Sequence, residues 1–350
     1  MKNKYLVLFA CLLVGLIVIY VVQKRSAKIE VVSSGIERLL SGRDIDKVSE
    51  IRVYWSGQQP GLVLRRNDKS WTLPNYFDAP GNSQKIESFL QDIENLRGEK
   101  RASSKEVFAT FGVEDDKALT LEFLSKDGEP LFVILAGKQG PMGGGGFIRF
   151  KDQVEVYLAE KNLLASFGIF GEDRKAPQPK LWAGLKVLQT PKDSWRSVEL
   201  IQPGASFAFA KQQKPEGAKP EEKAPEAASQ PPAPEVWLQQ QPENPKLEEG
   251  KIQSSLNALA NLQATQLADP AQADAYGLNA PAYQAKITLN DGKTVQLLIS
   301  QPEGKGPVYA KLENAKEIYE LTEGNLQSIF KNLLPQPEPT DKPAEQKSGQ

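Results

Sequence analysis

The sequence predicts an α+β protein: two tandem similar units, each a mostly antiparallel sheet with packed helices, preceded by a single N-terminal transmembrane helix. Three observations carry this expectation. A short motif occurs twice, as Ser103–Val113 (SSKEVFATFGV) and Asp269–Leu278 (DPAQADAYGL). The stretches around one copy return in the same order around the other, which is the mark of internal duplication. Finally, Tyr5–Val22 is uninterruptedly apolar or small, long enough at about 1.5 Å per residue to cross a bilayer as a helix.

Composition narrows the function classes. A chain of 350 residues suggests two domains. Lys plus Arg (43) balance Asp plus Glu (44), so there is no global basic field and no nucleic-acid partner is expected. There is no histidine, and the single cysteine, Cys11, lies in the apolar run. An intrachain disulfide and a Cys/His zinc site are thereby excluded, and no metal or cofactor is expected.

In chain order, residues 1–4 form a cytoplasmic start, 5–22 the membrane helix and 23–47 a tether. A cleaved signal peptide competes with the anchor, because a basic start and an apolar run suit both. No small-x-small site follows the run, however, and Lys24-Arg25 closes it. Lys2 and Lys4 on one side face Lys24, Arg25 and Lys28 on the other, so charge alone barely sets the orientation.

Residues 48–168 form the first unit. Ile51–Trp55, Leu62–Arg66 and Trp71–Leu73 read as strands joined by tight turns. Asn82 or Ser83 caps a helix whose apolar face is Ile86, Phe89, Leu90, Ile93 and Leu96. In the motif, Ser103-x-x-Glu106 reads as a capping box and Gly112 as a left-handed C-cap. Strands at Leu119–Phe123 and Leu131–Leu135 flank the hairpin signal Asp127-Gly128. Strands at Phe147–Phe150 and Val154–Leu158 and a helix at Asn162–Phe167 complete the unit.

Residues 169–194 form a linker, with Gly171–Pro179 its charged, proline-containing part. Residues 195–334 repeat the first unit. Arg196–Ile201, Ser206–Ala210 and Val236–Leu238 match its opening strands, and Trp237 takes the place of Trp71. Ile252, Leu256, Leu259 and Leu262 match Ile86, Leu90, Ile93 and Leu96. Asp269, Pro270 and Gln272 read as a second capping box. Ala285, Ile287 and Leu289 match the strand after the first motif, and Asp291-Gly292 repeats the hairpin. Tyr319 and Leu321 match Val156 and Leu158, and Asn325–Phe330 matches the final helix. Residues 211–234, rich in Pro, Ala, Glu and Lys, read as a disordered insert within a hairpin of this unit, and residues 335–350 as a disordered tail.

These features (the strands holding Trp71, the amphipathic helix with its capped motif ending in Phe111-Gly112-Val113 or Tyr276-Gly277-Leu278, and the Asp-Gly hairpin before a Gly-rich turn) resemble the bacterial family known as domain of unknown function 4340. The resemblance covers most of residues 45–334. It implies an N-terminal anchor in the inner membrane, with the repeats on the periplasmic side. It also implies companionship with ABC transporters of the gliding-motility or auxiliary type, and no catalytic residues.

Candidate chemistry is sparse. The loop Gly137–Gly146 is rich in glycine, but no Gly-Lys-Ser/Thr ends it and a strand follows, so it reads as a hairpin loop before a phosphate cradle. Gly143, Gly144, Gly145 and Gly146 are kept as a candidate partner contact. Tyr54 and Trp55 point to opposite faces of one strand, so one of them is a candidate exposed aromatic for a partner or the membrane interface. The acidic pairs Asp115-Asp116, Glu172-Asp173 and Glu248-Glu249 read as solvated turns or helix starts. A Ser–Lys dyad at Ser103 or Lys105 competes with the capping role of Ser103. The expectation is a non-enzymatic, single-pass extracytoplasmic accessory or scaffold protein with an ABC-transporter permease or another envelope protein as partner. An envelope glycan- or polymer-binding module is the alternative.

Overall fold

The computed structural model describes residues 35–68, 70–171, 173–213, 235–244, 246–301 and 306–334, together with Leu13. Apart from Leu13, the membrane helix expected at 5–22 lies outside these, as do residues 214–234 of the expected insert and the tail 335–350. Among the described residues no helix is long and apolar enough to cross a membrane. The chain divides after Trp182 into two units, inside the stretch read as a linker.

Unit 1 contains β1 (Glu37–Arg38), β2 (Glu50–Trp55), β3 (Leu62–Asn67), β4 (Ser70–Leu73), β5 (Ala79–Pro80), α1 (Ser83–Glu94), β6 (Arg97–Ala102), α2 (Phe108–Phe111), β7 (Leu119–Leu124), β8 (Pro130–Gln139), β9 (Gly146–Phe150), β10 (Val156–Ala159) and α3 (Leu163–Ser166). Its ten strands pair antiparallel in the order β1-β6-β10-β9-β8-β7-β2-β3-β4-β5.

Unit 2 contains β11 (Trp195–Gln202), β12 (Ala205–Gln213), β13 (Glu235–Gln241), α4 (Glu249–Ala260), β14 (Gln266–Ala268), β15 (Tyr283–Leu289), β16 (Thr294–Ile299), β17 (Val308–Leu312), β18 (Ile318–Leu321) and α5 (Glu323–Ile329). Its order is β13-β12-β11-β15-β16-β17-β18-β14. Read from the other end, this is the first sheet without its two-residue edge strands β1 and β5. The duplication seen in the letters is therefore a duplication of topology.

The long helices form because their apolar residues recur at helical spacing. Ile86, Leu90, Ile93 and Leu96 are buried, and so are Ile252, Leu256, Leu259 and Leu262. The Asn82 side-chain oxygen accepts from the Lys85 amide at 3.1 Å, so Asn82 is the cap of α1. Trp71 and Trp237 are buried at equivalent places, and the Trp71 indole donates to Glu87 at 2.6 Å.

Each repeated motif forms a small satellite core on its sheet. In unit 1, Phe108 and Val113 pack with Ala102 and Val156, and Phe111 tilts against Phe147 at 4.6 Å. In unit 2, Leu278 packs with Ala268 and Ile318, and Tyr276 stacks on Tyr309 at 4.0 Å. Gly112 and Gly277 end the motifs with φ of 70° and 69°, the left-handed geometry in which a side chain costs about 1 kcal/mol.

Several local expectations are corrected. The cap of the first motif is Ser104, not Ser103: its hydroxyl accepts from the Glu106 amide at 3.3 Å and opens a 3-10 turn, Lys105–Val107, before α2. Asp269 accepts from the Ala271 amide, and Gln272 bonds the Asp269 carboxylate rather than its backbone, so this is not a reciprocal box. The reciprocal arrangement occurs at Thr322 and Asn325. The satellite cores equate Val156 with Ile318, one residue from the Tyr319 match; in a strand that slip exchanges the two faces. Part of the tether is folded, with Leu40 and Ile45 buried and the Leu39 amide bonded to the Leu96 carbonyl. The insert begins later than expected, because Lys211–Gln213 belong to β12 and pair with Glu235–Trp237 of β13.

One buried charge ties strands of unit 1 together. Glu50 accepts from Arg52 Nε at 2.5 Å and Arg65 Nε at 2.7 Å. Burial pushes its pKa up, but bonds and charge from Arg65 and Arg52 more than offset this, leaving it below the ordinary 4.5. A carboxylate with a depressed folded pKa contributes stability above its unfolded pKa and loses it as pH falls through the folded value. Glu50→Gln is therefore expected to flatten the decline of unit 1 stability below about pH 4.5. Urea unfolding between pH 3 and 6 checks this; parallel declines in variant and wild type would rule it out.

Candidate functional site

The motif of unit 1 roofs a cavity of about 540 Å3. A bulge between Ala136 and Gln139 of β8 brings Gly137 and Lys138 under the motif. A Cβ on Gly137 would run into the Phe111 carbonyl oxygen and come within 2.9 Å of the Gly112 carbonyl carbon. Glycine is thus what lets the motif seat this closely. Trp55 at the end of β2, Leu164 of α3, and Gly171 and Arg174 from the following run form other parts of the wall, as do Glu114 and Lys117.

The lining carries three cations and one carboxylate. Lys117 Nζ bonds Glu114 at 2.6 Å, and that bond raises the lysine pKa. Lys138 Nζ donates to the Thr110 carbonyl at 3.1 Å. Arg174 lies 5.7 Å from the Trp55 ring centroid. Among the described residues, neither Lys138 nor Arg174 has an ion-pair partner. The arrangement suits binding of an acidic group rather than proton transfer, which needs a paired acid and base. Among the described residues, no group of three or more His, Cys, Asp or Glu could hold a metal.

The candidate residues fall as follows. Trp55 is buried in the cavity wall, and its indole donates to the Lys175 carbonyl at 2.8 Å. Tyr54 lies on the opposite face of β2, half-buried. Burial and then a bond to Glu122 push its phenol well above the ordinary range. The glycine loop is a β8–β9 hairpin connection closed by Gly140 N–H to Gly145 O at 3.1 Å and Gly144 N–H to Pro141 O at 3.2 Å. Gly143 and Gly144 are exposed, whereas Gly145 and Gly146 are buried against the chain after β10. The structure brings Trp55 together with the motif and with Lys138, and leaves Tyr54 and Gly143–Gly146 outside the cavity lining.

Of the acidic residues, Asp115 pairs with Arg149, Asp173 with Lys175 at 3.8 Å, and Glu248 and Glu249 start α4; Glu172 lies outside the described residues. Arg149 is buried. Its Nε donates to the Val113 carbonyl at 3.2 Å, its Nη1 to the Gln153 carbonyl at 3.0 Å, and its guanidinium lies 4.1 Å from the Phe108 ring centroid. Sequence reasoning missed the roles of Lys117, Lys138 and Arg174. Lys138 had a signal in the Gly137-Lys138 pair, but Arg174 had none, sitting in a stretch that reads as linker.

No curated protein and no solved structure matches the chain. A sequence profile for the family described as Domain of unknown function (DUF4340) matches residues 71–281 and 237–334. The matches start at Trp71 and Trp237, the equivalent tryptophans of β4 and β13, so the profile meets the chain at the same structural point twice. With residues 71–334 covered, well over half of the 350, the chain belongs to the DUF4340 family.

Proposed function

We propose that the protein is a non-enzymatic accessory or scaffold subunit, anchored in the inner membrane by residues 5–22, with its two units on the extracytoplasmic side beside an ABC-transporter-linked envelope complex. The observation that supports this reading is the repeated sheet. The same strand order and the same capped motif occur twice, while the ion pair between the buried Arg149 and the exposed Asp115 is a feature of unit 1: Arg149 stands where Lys311 stands in unit 2, each two residues beyond the aromatic that packs on its motif. Two versions of one scaffold with different surfaces suit the holding of two partners. Crosslinking in cells, followed by purification of the full chain in mild detergent, is expected to recover a permease or its ATPase. Recovery of no membrane partner under several conditions would overturn the reading.

The cation-lined cavity at Trp55 favours a second reading, an envelope glycan- or polymer-binding module selecting acidic groups. Lys138→Ala with Arg174→Ala is then expected to weaken retention on the retaining envelope fraction at least tenfold. Retention on no fraction would sink it.

A further inference from the structure

A second cavity, of about 520 Å3, lies within unit 1 where α1 and α3 meet the 3-10 turn Pro179–Leu181. Its volume is in the range of small-molecule sites, about 300–1,000 Å3. It shares no lining residue with the cavity at the motif.

Its walls are apolar and partly open. Phe89 and Trp182 line it, and both pack on the fully buried Phe167 behind them, the three ring centroids lying 5.1–5.6 Å apart. Phe170, 67% exposed, and Leu181, 36% exposed, add to the apolar side of the lining, and Lys85, Asp92 and Gln178 are among its polar members. Large hydrophobic side chains are rarely left exposed among the described residues, and two of the five that are line this one cavity.

Its polar groups are short of acceptors. Lys85 Nζ sits 4.8 Å from the Trp182 ring centroid and donates to the Leu181 carbonyl at 2.6 Å. An ammonium has three donors, and among the described residues no carboxylate pairs with this one: Asp92, the acid of the lining, is bonded to Lys161 at 2.5 Å. Burial lowers the Lys85 pKa, the mark of a charge held without compensation. Among the described residues the buried Trp182 indole N–H has no acceptor, whereas those of Trp55, Trp71 and Trp195 each have one. A buried donor left unpaired costs about 1–3 kcal/mol. This nitrogen is covered, so a ligand oxygen reaches it only when a lining side chain turns aside.

We propose that this cavity binds an apolar group ending in a carboxylate. The carboxylate pairs with Lys85, and the apolar body lies along Phe170, Leu181 and Phe89. Two sources offer this chemistry, the C-terminus of an apolar polypeptide and a free fatty acid. Calorimetry on the full chain in lipid nanodiscs separates them, using the tripeptide Ala-Leu-Phe with a free or an amidated C-terminus, and octanoate or octan-1-ol. At least one free acid is expected to bind ten times or more tighter than its neutral counterpart. Lys85→Gln is expected to abolish that difference, and Phe170→Ser to weaken the acid at least fivefold. Binding of the peptide acid alone assigns a polypeptide terminus, and binding of octanoate alone a fatty acid. The proposal is overturned if neither acid binds, if acid and neutral probes bind alike, or if Lys85→Gln leaves the affinity unchanged.

Discussion

Arg149→Met is expected to destabilise unit 1 by about 3–5 kcal/mol while leaving unit 2 untouched. Arg149 is 2% exposed, and its guanidinium serves the Val113 and Gln153 carbonyls and Asp115 at once, with its face on Phe108. Methionine keeps most of the volume but donates nothing, and each buried acceptor left without a partner costs about 1–3 kcal/mol. The loss falls on the segment between the motif and β7, which Arg149 holds to the sheet. Hydrogen exchange read by mass spectrometry separates the units. Peptides covering residues 105–124 should lose protection, and those covering 269–289 should not. Lys311→Met, at the equivalent place in unit 2 but half-buried, is expected to stay within about 0.5 kcal/mol. Equal losses in both units would contradict the assignment of Arg149 as a local tie.

Gly145→Ala should be nearly as damaging, at about 2–4 kcal/mol, while Gly144→Ala next to it should be neutral or slightly stabilising. A Cβ on Gly145 would run into the Ala159 carbonyl oxygen, and the residue has φ of +65°, where a side chain costs about 1–2 kcal/mol. The clash adds about 1–3 kcal/mol by forcing β9 and β10 apart. Gly144 has φ of −86°, and its nearest neighbour to an added Cβ is the Pro141 carbonyl oxygen at 3.9 Å. Replacing such a glycine stabilises by about 0.4–1 kcal/mol through the unfolded chain. Thermal unfolding of the two variants decides whether the run of glycines is there for packing. Similar melting for both would return it to the list of binding loops.

The duplication and most strands were legible because their signals are local. Apolar spacing marks α1 and α4, and Asp-Gly marks the β7–β8 and β15–β16 hairpins. The motif glycines could be recognised because glycine adopts a φ near +70° at the least steric cost. What failed was also local but finer. Two adjacent serines, Ser103 and Ser104, are equivalent as letters, and only geometry shows which one caps. Ile318 and Tyr319 are both apolar enough to match Val156, and only the satellite core fixes the face. The Arg174 wall was hidden because its stretch is polar and proline-containing, yet it is docked: the Lys175 carbonyl takes the Trp55 indole, and the Gln178 amide bonds the Phe167 carbonyl. Neither cavity was legible, since each is assembled from residues more than 90 positions apart.

The insert between β12 and β13 bears on the order in which the second sheet assembles. In unit 1 the matching hairpin, β3–β4, pairs Asn67 with Ser70, a contact between near neighbours in sequence. In unit 2 the two strands are separated by residues 214–234. Each doubling of a loop costs about 0.6 kcal/mol of closure entropy, so this hairpin starts roughly 2 kcal/mol behind its counterpart. The strand carrying Trp237 is therefore expected to pair late, onto the edge that β12 and α4 present to it. The two copies share a final architecture, and closure entropy predicts different routes to it, the first zipping from its hairpin and the second closing onto its edge.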